Sequence, residues 1–416
     1  MSVSTTASRT GAETGTGPTP AAPVRLAIVG IHGHGASHLT RAHELVRRGD
    51  AVLVAVADPR PALVGSIDET VQQFAALDEL LAAVPVDVVV LCTPIHTHFA
   101  LTKLAMEAGA DVLLEKPPVT SVADFTALAA VIEQTGRRCQ VGFQSLGSLA
   151  LEFVREQLAD GVIGTVTGIS ASGTWQRTLQ YWGRAAWAGK RVLNGIEVVD
   201  GVLTNPLAHA VATALNLAGA QRAGDIASID LDQYRANDID CDDTSVVRIR
   251  TTTGLPVTLA LTLCAAASSE PSITVHGSTG RIVVFYTLDV VQVFTDGAAE
   301  PLTSRHARRP LLDDLLLARR ADAAARSDAA GTGQTKPSAA LVAEFADTEG
   351  FTLVLDAVRR AADPTRIDDA FVDWVGTGLD ARPVVRDIAG WIARAGTEQK
   401  TFRELGAPWA VAGTTA

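Results

Sequence analysis

Of the 35 basic residues in the chain only five are lysines: Lys103, Lys116, Lys190, Lys336 and Lys400. Arginine fills most positions that need a plain positive charge. A lysine at the end of an apolar run therefore supplies something else, a compact ammonium that can titrate. Lys116 is such a residue, set in Glu115-Lys116-Pro117-Pro118 directly after Asp111–Leu114. A second chemical signal is the turn Gly30-Ile31-His32-Gly33-His34-Gly35, which follows the apolar run VRLAIVG and precedes helical spacing. Strand, glycine turn and helix N-terminus together receive a diphosphate. Gly30 and Gly35 hold the first and third glycine positions of G-x-G-x-x-G, while His32 holds the second and Gly33 follows it. Asp58 closes the next apolar run about twenty residues on, where a carboxylate accepts from ribose hydroxyls. An acid there favours NAD over NADP. Arg60 is the counter-signal, because a nearby Arg accommodates a 2′-phosphate.

The elements that must position these residues are legible as apolar runs and their breaks. Val24–Gly30, Ala51–Ala57, Val86–Cys92, Asp111–Leu114 and Arg138–Phe143 read as strands. Helical spacing fills His34–Arg48, His98–Ala108 and the segment after Ser121, with Ser121 as a cap for Asp124 and Gly136 as a stop. This alternation predicts a parallel, doubly wound sheet. Thr93-Pro94, followed by His98, closes the third run, and Glu115-Lys116-Pro117 closes the fourth. Both sit at carboxyl ends, where such sheets hold ligands. After a helix at Leu149–Leu158 come strand-like runs at 165–175, 244–251, 256–264, 272–276, 281–286 and 290–295. Tight turns between them predict a mostly antiparallel sheet. In the run 256–264, Val257, Leu259, Leu261 and Leu263 form a face for helices. Thr258, Ala260, Thr262 and Cys264 form a small, flat face suited to another sheet or subunit. From Leu311 the chain is helical again, with a Gly/Ala/Thr-rich interruption at 327–338 read as a mobile loop.

Composition bounds the alternatives. A chain of 416 residues, 47% hydrophobic and 19% charged, is globular and long enough for two domains. A net charge of −11 argues against nucleic-acid or anionic-membrane partners. No apolar run approaches the roughly 18 residues of a membrane span. Met1–Pro23 has no apolar core of a secretory signal and reads as a disordered tail. Cys92, Cys139, Cys241 and Cys264 lie far apart with no CxxC pair, as expected for reduced, mostly buried thiols of a cytoplasmic protein. His32, His34, His38, His43, His96 and His98 lack a Cys or carboxylate at ligand spacing, so they are expected as polar lining near a cofactor, with no metal. Asp240, Asp242 and Asp243 precede a strand and are expected to form a solvated turn.

The glycine turn, Asp58, Thr93-Pro94 with His98, and Glu115-Lys116-Pro117 together resemble the glucose–fructose oxidoreductase / inositol dehydrogenase (Gfo/Idh/MocA) family. The resemblance is clear over 24–143 and looser through Gly277-Ser278-Thr279-Gly280-Arg281-Ile282. It implies that Lys116 reaches a substrate hydroxyl beside the nicotinamide and that the bond before Pro117 is cis. The family's second motif is an Asp with a His four residues later on a helix. The best match is Asn205-Pro206-Leu207-Ala208-His209, with Asn205 as N-cap and Pro206 opening the helix. That spacing would put Asn205 and His209 on one helix face. Asn205 departs from the family Asp. An amide can align a hydroxyl or Lys116 but holds no negative charge, and Glu115 or Asp200 could supply the missing one. His209 is the candidate base, since imidazole titrates near neutral pH; the alternative is a core histidine on an apolar helix.

Trp175, Tyr181, Trp182, Arg184, Trp187 and Lys190 cluster between the first strand of the second domain and the His209 segment. Aromatic faces with cations nearby suit a sugar or polyol, or else fill the domain interface. The sequence thus predicts an α/β protein: a tail at 1–23, an NAD-binding Rossmann domain at 24–146, and a substrate-binding and oligomerisation α/β domain at 147–416 with an open, mostly antiparallel sheet. The resemblance implies an NAD(P)-dependent dehydrogenase acting on a secondary alcohol of a sugar, polyol or related cyclic substrate. It would act as a homo-oligomer through the C-terminal sheet. Lys116, His209 and Asn205 would carry the chemistry. Gly30, His32, Gly33, Gly35, Asp58, Arg60, Thr93, Pro94, His98 and Glu115 would hold the cofactor. The competing readings are an NAD-dependent glycoside hydrolase or lyase that borrows and returns hydride, and an NAD-binding regulator without turnover.

Overall fold

The structure, a computed structural model, describes residues 22–332 and 339–411. The expected tail up to residue 21, and residues 333–338 of the expected interruption, lie outside the described residues. Helix α8 (Leu311–Thr332) continues through the first part of that interruption.

Strands β1 (Val24–Val29), β2 (Ala51–Ala57), β4 (Val88–Leu91) and β5 (Asp111–Leu114) are Val-, Leu- and Ala-rich, and β4 and β5 are buried along their whole length. That is the composition of a sheet covered on both faces. With β3 (Gln72–Phe74) and β6 (Cys139–Val141) they form a parallel sheet in the order β3-β2-β1-β4-β5-β6. The strand order reverses between β1 and β4, which opens a ligand crevice at their carboxyl ends. Helices α1 (Gly35–Arg47), α2 (Leu77–Ala83), α3 (His98–Glu107) and α4 (Val122–Thr135) connect the strands. Ser121 caps α4, accepting from the Asp124 amide at 3.1 Å, and Gly136 ends it at φ 62°. The sequence reading missed β3 and α2. One is a three-residue polar edge strand and the other a two-turn helix, both too short to show a period.

The second sheet contains β7 (Val166–Thr174), β10 (Ile226–Arg235), β11 (Thr244–Thr251), β12 (Pro256–Thr262), β13 (Ser272–Gly277), β14 (Gly280–Phe285), β15 (Val290–Thr295), β16 (Leu302–Arg305) and β17 (Thr365–Arg366). Their order is β16-β15-β14-β13-β7-β12-β11-β10-β17, antiparallel except at β7–β12 and β10–β17. Two small hairpins, β8 (Val192–Leu193) with β9 (Ile196–Glu197) and β18 (Val372–Val375) with β19 (Arg382–Val385), stand apart. β10 escaped the sequence reading because its Asp and Gln residues depress strand propensity. The remaining helices are α5 (Ala150–Ala159), α6 (Leu179–Trp182), α7 (Ala208–Leu217), α9 (Glu349–Arg360), α10 (Ile388–Glu398) and α11 (Pro408–Val411).

Both faces of the sheet are covered at its centre. Helix α7 packs on β7, β12 and β13, on the side of Val257, Leu259 and Leu261. Helix α10 lies across β7 and β12 on the other side, where Ile388, Ile392, Phe402 and Trp409 join Ala260 and Cys264 in one buried cluster. The face expected to meet a second subunit is thus closed by the chain's own C-terminal segment. Thr258, Thr262 and Cys264 are fully buried there. Alternation in β12 shows that the face is small and flat; it carries no information about what covers it.

Helix α8 returns to the first sheet and is pinned by charge. Arg319 bonds Asp87 at 3.0 Å and also Asp111, Arg320 bonds Asp50 at 2.8 Å, and Arg138 pairs with Asp322. These contacts bind α8 to the amino ends of the first sheet's strands, on the side away from the crevice. Ile392 is 2% exposed in the α10 cluster. Ile392→Ala should cost about 2–5 kcal/mol, the usual range for such a core truncation. Urea unfolding should show a lower midpoint with an unchanged slope.

Candidate active site

The glycine turn leaves β1 at the crevice. A Cβ on Gly35 would stand 1.9 Å from the Gly30 carbonyl oxygen, and one on Gly30 would stand 2.2 Å from the Cys92 oxygen. Those two glycines let α1 start hard against β1 and β4. Gly33 differs: it adopts φ +60° with open space where a Cβ would point. The turn lines a cavity of ≈650 Å³ with Thr93, Pro94, Lys116, Asn205 and His209. His32 also lines it, its Nε2 3.1 Å from the Pro61 oxygen.

Asp58 sits at the end of β2 as expected, but its carboxylate is already engaged. It accepts from the Ile31 amide at 3.1 Å and from the Arg60 amide at 3.0 Å. Burial would raise its pKa; the hydrogen bonds from Arg60 and Ile31 outweigh that and lower it. Arg60 lines the cavity with an exposed guanidinium. His98 also lines it, and its ring spans the Pro117 and Thr93 oxygens at 2.8 and 2.9 Å. His98 therefore ties together the loops that follow β4 and β5.

Glu115 is buried beside the same turn. His38 Nε2 lies 2.9 Å from its Oε1, His34 Nε2 lies 3.3 Å away, and Gln144 donates to it at 3.0 Å. Burial alone would raise the Glu115 pKa, but the hydrogen bonds from His34 and His38 hold it well below the usual carboxylate range. The same contact raises the pKa of His34. The sequence reading found no carboxylate among these histidines. Glu115 supplies it from 77 positions beyond His38, and the three donor atoms lie within 4.8 Å of one another. The His38–Glu115 pair is buried behind the cavity wall, with Glu115 reaching it.

Lys116 crosses from the first domain to the second. Its peptide bond to Pro117 is cis. Its ammonium donates to Asn205 Oδ1 at 2.8 Å and to the Asn205 carbonyl at 3.2 Å. Asn205 Nδ2 in turn donates to Asp200 Oδ1 at 3.0 Å. Asp200 Oδ2 accepts from the Gly189 amide at 2.8 Å and faces Arg184 at 3.8 Å. Burial lowers the Lys116 pKa, opposed by the charges of Glu115 and Asp200. His209 lies on the same wall, with Nδ1 3.5 Å from Ser145 Oγ. Burial, then the Lys116 charge, push the His209 pKa down to about 3.

Two expectations about the second motif change. Helix α7 begins at Ala208 with Leu207 before it, so Asn205 is neither its cap nor on its face. Asn205 sits in the preceding turn, its amide donating to the Gly201 oxygen at 3.0 Å. Pro206 displaced the helix start further along the chain than helical spacing suggested. Nor are the three aspartates a solvated turn. Only Asp240 is exposed; Asp242 and Asp243 are buried. Asp243 accepts from Ala236, Asn237 and Thr244. Burial raises Asp242 to about 6.

The aromatic segment divides. Trp175, Tyr181 and Trp187 line the cavity. Trp182 is buried in the core, and Lys190 pairs with Asp240 at 3.1 Å away from the lining. Arg184 is held behind the rings, 3.7 Å from the Tyr181 centroid and 4.6 Å from that of Trp187. The reading missed Arg177, which lines the cavity and stacks on Trp175 and Tyr181 at 4.7 and 4.9 Å. The clue was its place between two aromatics at the exit of β7.

Residues 24–143 match the description "Oxidoreductase family, NAD-binding Rossmann fold", and residues 151–283 match "GFO/IDH/MocA C-terminal domain". The chain belongs to the Gfo/Idh/MocA family. Within this family it is 29% identical over 181 residues to D-glucoside 3-dehydrogenase of Escherichia coli (strain K12), covering 43% of this chain and 50% of that one. It is 33% identical over 135 residues to inositol 2-dehydrogenase of Rhizobium meliloti (strain 1021), covering 32% and 41%. The chain thus spans about half the length of the curated relatives it matches. The WlbA dehydrogenase of Bordetella pertussis, solved in complex with NADH and UDP-GlcNAcA, shares the fold with a TM-score of 0.63. That match has 22% identity and covers 82% of this chain and 98% of that one.

The turn fits the family's NAD. Gly33 leaves its backbone bare, the N-terminus of α1 lies behind it, and the cavity is open in front. The contact with Glu115 yields a titration test. A histidine whose folded pKa is raised adds stability below its unfolded pKa and loses it as pH rises through the folded value. Glu115→Gln should therefore bring the His34 pKa back down toward 6.5, its ordinary value. An NMR titration, with His34→Asn to assign the resonance, reads this shift.

Proposed function

We propose that the protein is an NAD-dependent dehydrogenase that oxidises a secondary alcohol of a sugar, polyol or related cyclic compound, or reduces the corresponding ketone. The observation that carries this is the Lys116 ammonium. It is presented by the strand-end loop of the Rossmann domain and held by Asn205 of the other domain, inside the cavity that the glycine turn lines. The glucoside and inositol dehydrogenase activities named for its relatives support the reading.

Gly33 and the start of α1 would hold the diphosphate, and Thr93 and Pro94 would line the nicotinamide end. NAD bound there supplies the hydride acceptor. The residues of the chain manage the proton. Lys116 Nζ hydrogen-bonds the reacting oxygen and receives its proton when it stands as the neutral amine. Burial makes that amine reachable closer to neutral pH than an exposed lysine allows. Asn205 aims the nitrogen. His209 stays neutral down to about pH 3 and accepts a hydrogen bond from a substrate hydroxyl rather than storing the proton. This reverses the part expected of it from the sequence. The rings of Trp175, Tyr181 and Trp187 that line the cavity suit the C–H faces of a sugar ring.

All four cysteines are free, which supports a cytoplasmic setting. Self-association through the second sheet would fall on β13–β16, since α10 occupies β7 and β12. Lys116→Met should lower turnover by about two to four orders of magnitude, the usual reach of acid–base catalysis. NADH binding, followed by fluorescence, should be unchanged. Near-normal turnover would remove Lys116 from the chemistry.

A further inference from the structure

We propose that the cavity takes an anionic substrate, a sugar or polyol carrying a carboxylate or phosphate, and that Arg177 binds that group. The inference rests on the dehydrogenase reading of this cavity and narrows its substrate class.

Two arginines enter the aromatic cluster, and they differ in charge balance. Arg184 stacks on Tyr181 and Trp187 and faces the Asp200 carboxylate at 3.8 Å. Arg177 stacks on Trp175 and Tyr181, but no carboxylate of the described residues lies within 4.0 Å of it. Its side chain donates to a neutral acceptor, the Gln176 carbonyl at 2.9 Å. A half-buried guanidinium between rings has given up part of its hydration. An anion that docks there restores that loss with charge-assisted hydrogen bonds. The planar fork matches a carboxylate or phosphate in two-point contact, which a lysine cannot reproduce.

The backbone also prepares Arg177. The Trp175 and Arg177 amides donate to the Thr262 and Leu263 oxygens at 2.9 and 3.1 Å. Residue 177 follows β7 in the loop, but its backbone is tied to the end of β12 beside the isolated bridge of Gln176 to Cys264. Contact with two rings then restrains the guanidinium, so less rotamer entropy is lost when a ligand binds. Arg177 and the reacting centre at Lys116 line the same cavity. A cation here is also selective, because the chain as a whole carries a net charge of −11 and repels anions elsewhere.

The test compares matched compounds that differ by one charged group: glucose with glucuronate, galactose with galacturonate, and glucose with glucose 6-phosphate. With the full chain and NAD, NADH formation should give kcat/KM at least tenfold higher for an acidic member than for its neutral partner. The carboxylate and phosphate arms show which group the site prefers. Arg177→Gln should remove at least tenfold of kcat/KM for the acid, mainly through KM. The loss for the neutral sugar should be at least fivefold smaller than that for the acid, and NADH affinity should stay intact. Arg177→Lys should keep part of the preference. Neutral sugars preferred throughout, or Arg177→Gln affecting both members equally, would overturn the inference while leaving the dehydrogenase reading in place. If no compound yields NADH, thermal stabilisation of the NAD-loaded protein decides. Glucuronate or glucose 6-phosphate should stabilise the wild type more than glucose does, and Arg177→Gln should abolish the difference. Equal stabilisation by charged and neutral compounds overturns the inference.

Discussion

A half-buried ammonium needs compensation, and the way this chain compensates Lys116 organises the rest of the site. The nitrogen leaves the end of β5, crosses the crevice and ends on a neutral amide, Asn205, behind which stands the buried carboxylate of Asp200. Where the family motif has a carboxylate, this chain has an amide with a carboxylate one hydrogen bond further back. The negative charge is retained but set at a greater distance. Its pull on the proton is weaker than that of a direct ion pair, and burial prevails. The result is a lysine held in place without being locked in its charged form.

That contact works only if the two sheets keep their spacing. The first sheet is set by parallel strands with apolar residues on both faces, and the second by a nine-stranded sheet clamped between α7 and α10. The arginines of α8 on Asp50, Asp87 and Asp111 bind the later part of the chain to the first sheet. Exposed ion pairs contribute little one by one, but several on one helix form a network with a defined orientation. A crevice assembled this way presents the glycine turn, Lys116 and Asn205 to the same space. Glu115, tied to His34 and His38, couples the neighbour of Lys116 to the start of α1.

Apart from β3 and α2, the first domain's elements were legible, because strand ends in a doubly wound sheet are where apolar runs stop. Gly30, Gly35, Asp58, Thr93 and Lys116 could be placed from those stops alone. What the sequence hid was long-range. The meeting of Glu115 with His34 and His38 depends on how β5 lies beside α1, which no spacing encodes. Asn205 was found through its motif but set on the wrong element, since Pro206 left the start of the helix ambiguous. Asp242 and Asp243 looked solvated because carboxylates usually are; their burial follows from hydrogen bonds to Ser245 and to a loop at 236–237. Arg177 was overlooked beside more conspicuous tryptophans. The covering of the flat face by α10 lies more than a hundred residues downstream of β12.

The most direct measurement is the pKa of Lys116 itself, from the NMR titration of its labelled side chain in the wild type and in two variants. The account predicts a wild-type value below the ordinary 10.5. It predicts a further fall in Asp200→Asn and a rise in Asn205→Asp, with the double exchange Asp200→Asn/Asn205→Asp above the wild type. A wild-type Lys116 that titrates at the ordinary value, with neither variant moving it, would contradict the account.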